Sequence, residues 1–203
     1  MGAKICGITN IDAAKCAVEN GAKAVGFVFA ESKRKISPED AKAIIKELPE
    51  DIWKVGVFVN ESKEKIEEII SIAGINMIQL HGDESNEFAS QFSLPIIKAF
   101  SIGSEEDLKA VAAFDCDYVL LDSPREKYHG GNGKTFDWAV LKNYDFKGKK
   151  VILAGGLNTE NIKEALETVQ PDLVDVSSGV ETNGKKDFKK IRDFLSSVNL
   201  HKQ

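Results

Sequence analysis

The sequence lacks the features of a membrane-bound, exported or nucleic-acid-binding protein. None of its apolar runs approaches the roughly 20 residues that cross a bilayer, and no apolar leader follows a basic start. It has three cysteines, Cys6, Cys16 and Cys116, and no CxxC pair, so neither a disulfide framework nor a zinc site is indicated. The net charge of −5 includes no basic block. We therefore expect a cytoplasmic protein with neither a membrane nor a nucleic-acid partner.

Eight short apolar runs recur along the chain and are predicted to be strands. They are Lys4–Cys6, Ala24–Phe29, Lys54–Val59, Met77–Leu80, Ile96–Phe100, Tyr118–Asp122, Val151–Ala154 and Leu173–Val176. Most are apolar at consecutive positions, which is typical of parallel strands covered by helices.

Helical signals lie between these runs. The clearest is Ser37-Pro38-Glu39, which combines a capping residue, a first-turn proline and an acidic first turn. Other helices are predicted over Asp12–Asn20, Glu84–Phe92, Phe136–Leu141 and Asp187–Val198, and behind the capping residues Ser62, Ser104 and Thr159.

The alternation of strands and helices predicts the α/β class, with one domain over residues 1–203. Eight units favour a closed (β/α)8 TIM barrel, since no GxGxxG motif follows the first strand. An open doubly wound sheet is the alternative.

Glycine and serine residues follow the last two predicted strands. Gly155-Gly156 comes after the seventh and Ser177-Ser178-Gly179 after the eighth. The glycines of each segment could simply make a tight turn, but barrels often bind phosphate after these two strands. We therefore predict a phosphate site there.

Chemically active side chains stand at other strand ends, where a barrel carries its active site. Cys6 ends the first strand and is either a catalytic group or a small buried hydrophobe. Asp122 ends the sixth, where an ionisable group is either paired or used. Arg34 offers a planar fork for a carboxylate. His81 is either a proton donor or structural, and Asp175 bonds either ribose hydroxyls or a neighbouring backbone.

A glycine-rich segment follows the sixth strand. Gly130, Gly131 and Gly133 surround Asn132, and a segment of this kind is either a lid or a plain flexible connector.

The motifs KICGIT, GFVF with SKRKIS, VGVFVN, QLHGDE, LLDS, GGNGKTFDW, LAGGLN and DVSSGVE together resemble the phosphoribosylanthranilate isomerase family of tryptophan biosynthesis, from Lys4 to Glu181. The resemblance implies an Amadori rearrangement of a phosphosugar substrate, with no cofactor and no metal. It implies Cys6 as general base, Asp122 as general acid, Arg34 as the partner of the anthranilate carboxylate, and the two turns as the phosphate site. Lys35 and Asn132 depart from the family pattern, where an aromatic residue and Thr or Ser are usual.

Two alternatives are a related phosphosugar isomerase of histidine biosynthesis and a non-catalytic phosphosugar-binding barrel. The first usually has an aspartate where this chain has Cys6, and the second would lose the acid or the base. The protein is expected to be a monomer or a homodimer.

Overall fold

The computed structural model describes residues 1–123, 138–142 and 144–201. Its main sheet consists of β1 (Gly2–Cys6), β2 (Ala24–Val28), β3 (Trp53–Phe58), β4 (Met77–Leu80), β5 (Ile96–Ser101), β6 (Tyr118–Asp122), β7 (Lys150–Leu153) and β8 (Leu173–Val176). All pairs are parallel and follow chain order, and β1 pairs with β2 on one side and with β8 on the other. The predicted α/β barrel is therefore confirmed, and the open sheet is wrong.

Helices cover the outside of the barrel. They are α1 (Ile11–Glu19), α2 (Pro38–Ile45), α3 (Lys63–Ala73), α4 (Asn86–Ala89), α5 (Asp107–Ala113), α6 (Ile162–Val169) and α7 (Phe188–Leu200), with a short 3₁₀ helix at Trp138–Leu141. No helix in the described part of the chain is long and apolar enough to cross a membrane.

The barrel interior changes from apolar to polar toward the carboxyl ends of the strands. Side chains alternate between the two faces of a strand, and the inward ones include Ala24, Val55, Met77, Ile97, Ala99, Leu120, Ile152 and Ala154, which form one apolar cluster. Two residues beyond Met77 and Leu120, the next inward positions are Gln79 and Asp122. The outward apolar side chains pack against the helices in a second, larger cluster. Functional groups therefore gather at one mouth of the barrel.

Two helices begin later than predicted, because side chains close a turn first. The Asp107 carboxylate accepts hydrogen bonds from the backbone and the hydroxyl of Ser104, at 2.9 and 3.2 Å, so Ser104 does not cap α5. Asn158 and Asn161 bond each other's backbone N–H, at 2.9 and 3.2 Å, and α6 starts only after this turn. Ser104 and Thr159 were therefore wrong as capping residues.

The helix predicted over Glu84–Phe92 is confined to α4. Glu84 belongs to the preceding loop, because its carboxylate accepts from the backbone N–H of Asn60 and from Lys98 Nζ, both at 2.8 Å. Of the segment predicted over Phe136–Leu141, the structure describes only the 3₁₀ turn from Trp138.

A small hairpin that the sequence analysis missed follows β8. Its strands, β9 (Glu181–Thr182) and β10 (Lys185–Lys186), pair antiparallel. The two residues between them have positive φ, 52° at Asn183 and 76° at Gly184. Positive φ at both positions is the type I′ geometry that Asn-Gly adopts most readily. The hairpin brings Glu181 and Lys186 to the barrel mouth.

Candidate active site

Cys6, at the end of β1, lies beside a buried ammonium group. Lys4, two residues earlier on the same strand, is fully buried, and its Nζ lies 3.0 Å from Asp175 Oδ1 on β8. Gly26 on β2 is level with Cys6. A methyl group at Gly26 would lie 2.8 Å from Cys6 Sγ and 3.2 Å from Lys4 Cε, so both side chains use the space that this glycine leaves.

Opposing influences act on the Cys6 thiol. Burial raises the pKa of Cys6, Lys4 and Lys186 lower it, and Asp175 raises it further, so that the pKa stands above its ordinary value. Burial also disfavours the charged form of Lys4, but Asp175 and Cys6 outweigh this effect and raise the pKa of Lys4. Lys4 is therefore charged when it faces the thiol.

Asp122, at the end of β6, is held from two sides. Its Oδ1 accepts from the backbone N–H of Ser123 at 2.7 Å, and its Oδ2 lies 3.5 Å from His81 Nε2. Gln79 Nε2 lies 3.0 Å from His81 Nδ1. When Gln79 donates to Nδ1, the ring hydrogen of neutral His81 is on Nε2 and faces Asp122. His81 is therefore a neighbour of the proposed acid, and Gln79 orients it.

Gly155 packs against Asp122, and we expect Gly155→Ala to lower both stability and activity. Gly155 has φ +85°, and a methyl group there would touch the Ser123 backbone and lie 2.9 Å from Asp122 Oδ1. We expect a loss of about 1–3 kcal/mol in the free energy of unfolding and at least a tenfold fall in kcat as Asp122 is displaced. Urea titration and steady-state kinetics would measure these changes.

Gly148→Ala is the matched control for this substitution. Gly148 has φ +81°, but nothing lies within 4 Å of a methyl group placed there. The Gly148→Ala variant should therefore lose stability through backbone strain, but its kcat should not fall. Equal kcat values for the two variants would contradict the contact between Gly155 and Asp122.

Arg34 is clamped by a carboxylate of the hairpin. Its Nε and one Nη donate to the two Glu181 oxygens, at 2.6 and 2.8 Å. Gly7, which follows β1 and has φ +75°, leaves space for the Arg34 side chain, because a side chain at Gly7 would collide with Arg34 Cδ. Within the described residues, the second Nη of Arg34 makes no hydrogen bond. That nitrogen is available to an incoming carboxylate.

Glu181 also binds Lys186 of the hairpin, at 2.8 Å. Burial disfavours the charged carboxylate, but hydrogen bonds from Arg34 and Lys186 lower the pKa of Glu181 from 4.5 to about 2. Burial lowers the pKa of Lys186, and Glu181 counteracts this. Lys186 Nζ reaches the Ser177 carbonyl as well, at 2.9 Å. The hairpin thus adds one anion and one cation to the site.

We expect Glu181→Gln to destabilise the protein at neutral pH by about 3 kcal/mol, because it leaves the buried Lys186 and the partly buried Arg34 without their carboxylate. Since the pKa of Glu181 is about 2 in the folded protein and about 4.5 when unfolded, the carboxylate stabilises fully above about pH 4.5 and loses its effect as the pH falls toward 2. Unfolding free energies of both proteins across this range would show their difference shrinking.

Glu106→Gln serves as the control, because Glu106 pairs with Lys109 while 79% exposed. Exposed pairs of this kind contribute little to stability, so its effect should be small and independent of pH. A Glu181→Gln variant that behaves in the same way would contradict the role given to Glu181.

The two glycine and serine turns lie against each other. A methyl group at Gly179 would collide with the Leu157 carbonyl, so the turn after β8 packs on the turn after β7. Within the described residues, the backbone N–H groups of Gly156, Ser178 and Gly179 have no acceptor. Such groups can bind an anion.

The structure thus brings most of the predicted site residues to one mouth, with partners that the sequence analysis did not name. Asp175 bonds Lys4 rather than a backbone group, and Ser177 Oγ donates to the Cys6 carbonyl at 3.1 Å. Cys16 Sγ lies 3.7 Å from the Phe188 carbonyl and 4.0 Å from Asn20 Nδ2, and Cys116 Sγ donates to the Tyr118 carbonyl. Among the described residues, no three His, Cys, Asp or Glu side chains are grouped as metal ligands. The suggested lid residues Gly130, Gly131 and Gly133 lie outside the described residues.

Comparisons with known proteins agree on one family. A family model described as N-(5'-phosphoribosyl)anthranilate (PRA) isomerase matches residues 3–197. The N-(5'-phosphoribosyl)anthranilate isomerase of Bacillus cereus (strain G9842) is 56% identical over 196 residues, which is 96% of each chain. A crystal structure of a phosphoribosyl anthranilate isomerase in complex with reduced 1-(o-carboxyphenylamino)-1-deoxyribulose 5-phosphate has a TM-score of 0.88 and 42% identity over 98% of each chain. Monomers generated from the dimeric isomerase of Thermotoga maritima have the same TM-score, identity and coverage.

Proposed function

The chain belongs to the N-(5'-phosphoribosyl)anthranilate isomerase family and catalyses that reaction of tryptophan biosynthesis, and we propose that Cys6 and Asp122 transfer its protons. The reaction is the Amadori rearrangement of N-(5-phosphoribosyl)anthranilate to 1-(2-carboxyphenylamino)-1-deoxyribulose 5-phosphate. Family membership favours this isomerase over the histidine-pathway enzyme and over a non-catalytic barrel.

The observation that carries the assignment of Cys6 and Asp122 is their placement. They are the last residues of β1 and β6, so both stand where these strands open on the barrel mouth. Cys6 faces the cations Lys4 and Lys186, which favour its thiolate. Asp122 is held by Ser123 and lies next to His81. One site thus offers a base favoured by cations and a separate carboxyl group.

The reaction needs one proton donor and one proton acceptor. Protonated Asp122 gives its proton to the furanose ring oxygen, the C1′–O bond breaks, and the anthranilate nitrogen forms a Schiff base with C1′. The Cys6 thiolate then removes the C2′ proton, and the electron pair moves into an enolamine that tautomerises to the ketone. Asp122 ends as a carboxylate and Cys6 as a thiol, and both are reset by exchange with solvent.

The substrate's two anionic ends match two features of the mouth. We assign the anthranilate carboxylate to Arg34, whose second Nη is directed away from Glu181, and the phosphate to the turns Gly155-Gly156 and Ser177–Gly179. His81 lies beside the proposed acid and Asp175 pairs with Lys4, and contact of either side chain with the ribose of the substrate stays a prediction. The substrate would then span the mouth between β2 and β8.

Turnover of freshly made phosphoribosylanthranilate tests the reaction directly. The loss of anthranilate-type fluorescence would be followed with a chelator present, and product identity would be checked by mass spectrometry. Metal-independent conversion is the expected result. Failure of the wild-type protein to convert this substrate would overturn the function.

We also propose that residues 1–203 form a single catalytic domain in the cytoplasm. The family model covers most of this length, and the three free cysteines suit a reducing compartment. A monomer and a homodimer both stay predictions for this chain, and sedimentation equilibrium would distinguish them.

A further inference from the structure

Lys4 is a lysine with none of its side chain exposed, in the wall of an active site. A buried ammonium group is costly unless it is paired, and this one has Asp175 Oδ1 at 3.0 Å. The alternation of a strand places Lys4 and Cys6 on the same inward face of β1. The gap at Gly26 lets Lys4 Cε and Cys6 Sγ lie next to each other. The ammonium group therefore pairs with the carboxylate and interacts electrostatically with Cys6.

The charges around Cys6 do not balance while it is a thiol. Among the described residues, Lys4, Arg34 and Lys186 are cations that interact with Cys6. Asp175 and Glu181 are the carboxylates paired with them. Three positive charges against two negative ones leave a single positive charge, which a Cys6 thiolate would neutralise. These groups come from β1, the loop after β2, β8 and the hairpin, while β2 faces the sulfur with the uncharged Gly26.

We propose that Lys4, held in place by Asp175, is the positioning residue that keeps Cys6 available as a thiolate base. The proposal rests on the proposed role of Cys6 as the base of the isomerisation. Lys4 does not touch the substrate in this account. It acts through Cys6 by offering a fixed cation and a hydrogen-bond donor at the sulfur, while Asp175 keeps Lys4 charged.

The position of Lys4 partly offsets the effect of burial on the ionisation of Cys6. The base of this reaction must be available as a thiolate, but Cys6 is buried, and burial disfavours the thiolate. A cation within about 4–6 Å can lower a thiol pKa by roughly 1–3 units. Lys4 is the largest of the influences that lower the pKa of Cys6. Without it, burial and Asp175 would act on the thiol together, opposed by Lys186 and Arg34.

The pH dependence of Cys6 alkylation tests this proposal without using catalysis. Iodoacetamide would be reacted from about pH 6 to about pH 11, because the pKa of Cys6 stands above its ordinary value and the variant should raise it further. Mass spectrometry would quantify the tryptic peptide that ends at Lys15, which holds no other cysteine. In Lys4→Met, we expect the midpoint of alkylation and the acidic limb of kcat/KM to move up together by at least about one unit. At neutral pH, kcat/KM should fall roughly tenfold or more.

A second variant guards against misfolding. Lys4→Met leaves Asp175 as an uncompensated buried carboxylate, so the double variant Lys4→Met/Asp175→Asn is made as well. The alkylation midpoint of the double variant should shift in the same direction as in Lys4→Met but by less, because Asp175 itself raises the pKa of Cys6. Lys4→Arg retains the positive charge, so its alkylation midpoint should lie closer to the wild-type value than that of Lys4→Met.

The buried pair Lys98 and Glu84 provides the matched control. Their charged atoms lie 2.8 Å apart, and both side chains are about as buried as Lys4 and Asp175. A Lys98→Met/Glu84→Gln variant should lose stability with no change in the alkylation midpoint of Cys6. An unchanged alkylation midpoint in Lys4→Met and in Lys4→Met/Asp175→Asn would overturn the inference while leaving the isomerase assignment intact. Full activity of Cys6→Ala would instead overturn the assignment of the base.

Discussion

Cys6→Ala is expected to lower kcat/KM by roughly a thousandfold or more, because it removes the group that accepts the C2′ proton. General acid and base groups contribute about 10²–10⁴ in rate each. Cys6→Ser should be nearly as inactive, since a hydroxyl is far harder to ionise than a thiol at neutral pH. Steady-state kinetics on phosphoribosylanthranilate would measure both variants, and circular dichroism would confirm their folding.

Cys16→Ala and Cys116→Ala provide the controls for loss of a cysteine. Cys16 lies in α1 and Cys116 in the loop before β6, and both donate only to backbone carbonyls. Neither variant should change kcat/KM by more than about twofold. A Cys6→Ser enzyme with wild-type turnover would exclude a thiolate mechanism.

Asp122→Asn should lower kcat by about 10²–10⁴, because an amide cannot supply the proton that opens the furanose ring. The change preserves size and shape, and the amide oxygen can still accept from the Ser123 backbone. KM should change little, since Asp122 is assigned to neither anionic end of the substrate. The expected effect is therefore a loss of kcat rather than of substrate affinity.

Asp117→Asn is the matching control. Asp117 immediately precedes β6, at the opposite end of this strand from Asp122. Its substitution should leave kcat and KM unchanged. An Asp122→Asn enzyme within about tenfold of wild-type kcat would show that another group donates the proton, with His81 the nearest candidate at 3.5 Å.

Much of the fold could be predicted because each strand carries its own local signal. Consecutive apolar, β-branched residues mark a strand buried on both faces, and all eight runs overlap observed strands. The starts of α5 and α6 could not be placed correctly, since Asp107 and the pair Asn158 and Asn161 close side-chain turns that propensity does not reveal.

The candidate site was predictable where it lies at strand ends and not where it depends on contacts between distant residues. Cys6 and Asp122 follow from their strands. Lys4 was included in the first predicted strand, but its pairing with Asp175 joins residues 171 positions apart. Glu181 and Lys186 depend on the hairpin, for which Asn183-Gly184 was the signal available in the sequence.

The pairing of β1 with β8 also determines when the protein can acquire activity during synthesis. Cys6 is translated long before Asp175 and the Asn183-Gly184 turn, which follow it by about 170 residues. Until the last strand docks on the first, the nascent chain has a cysteine without the charged neighbours described above. Chemistry at this thiol is thus coupled to synthesis of β8 and the hairpin, and ribosome-bound fragments that end before β8 contain no assembled site.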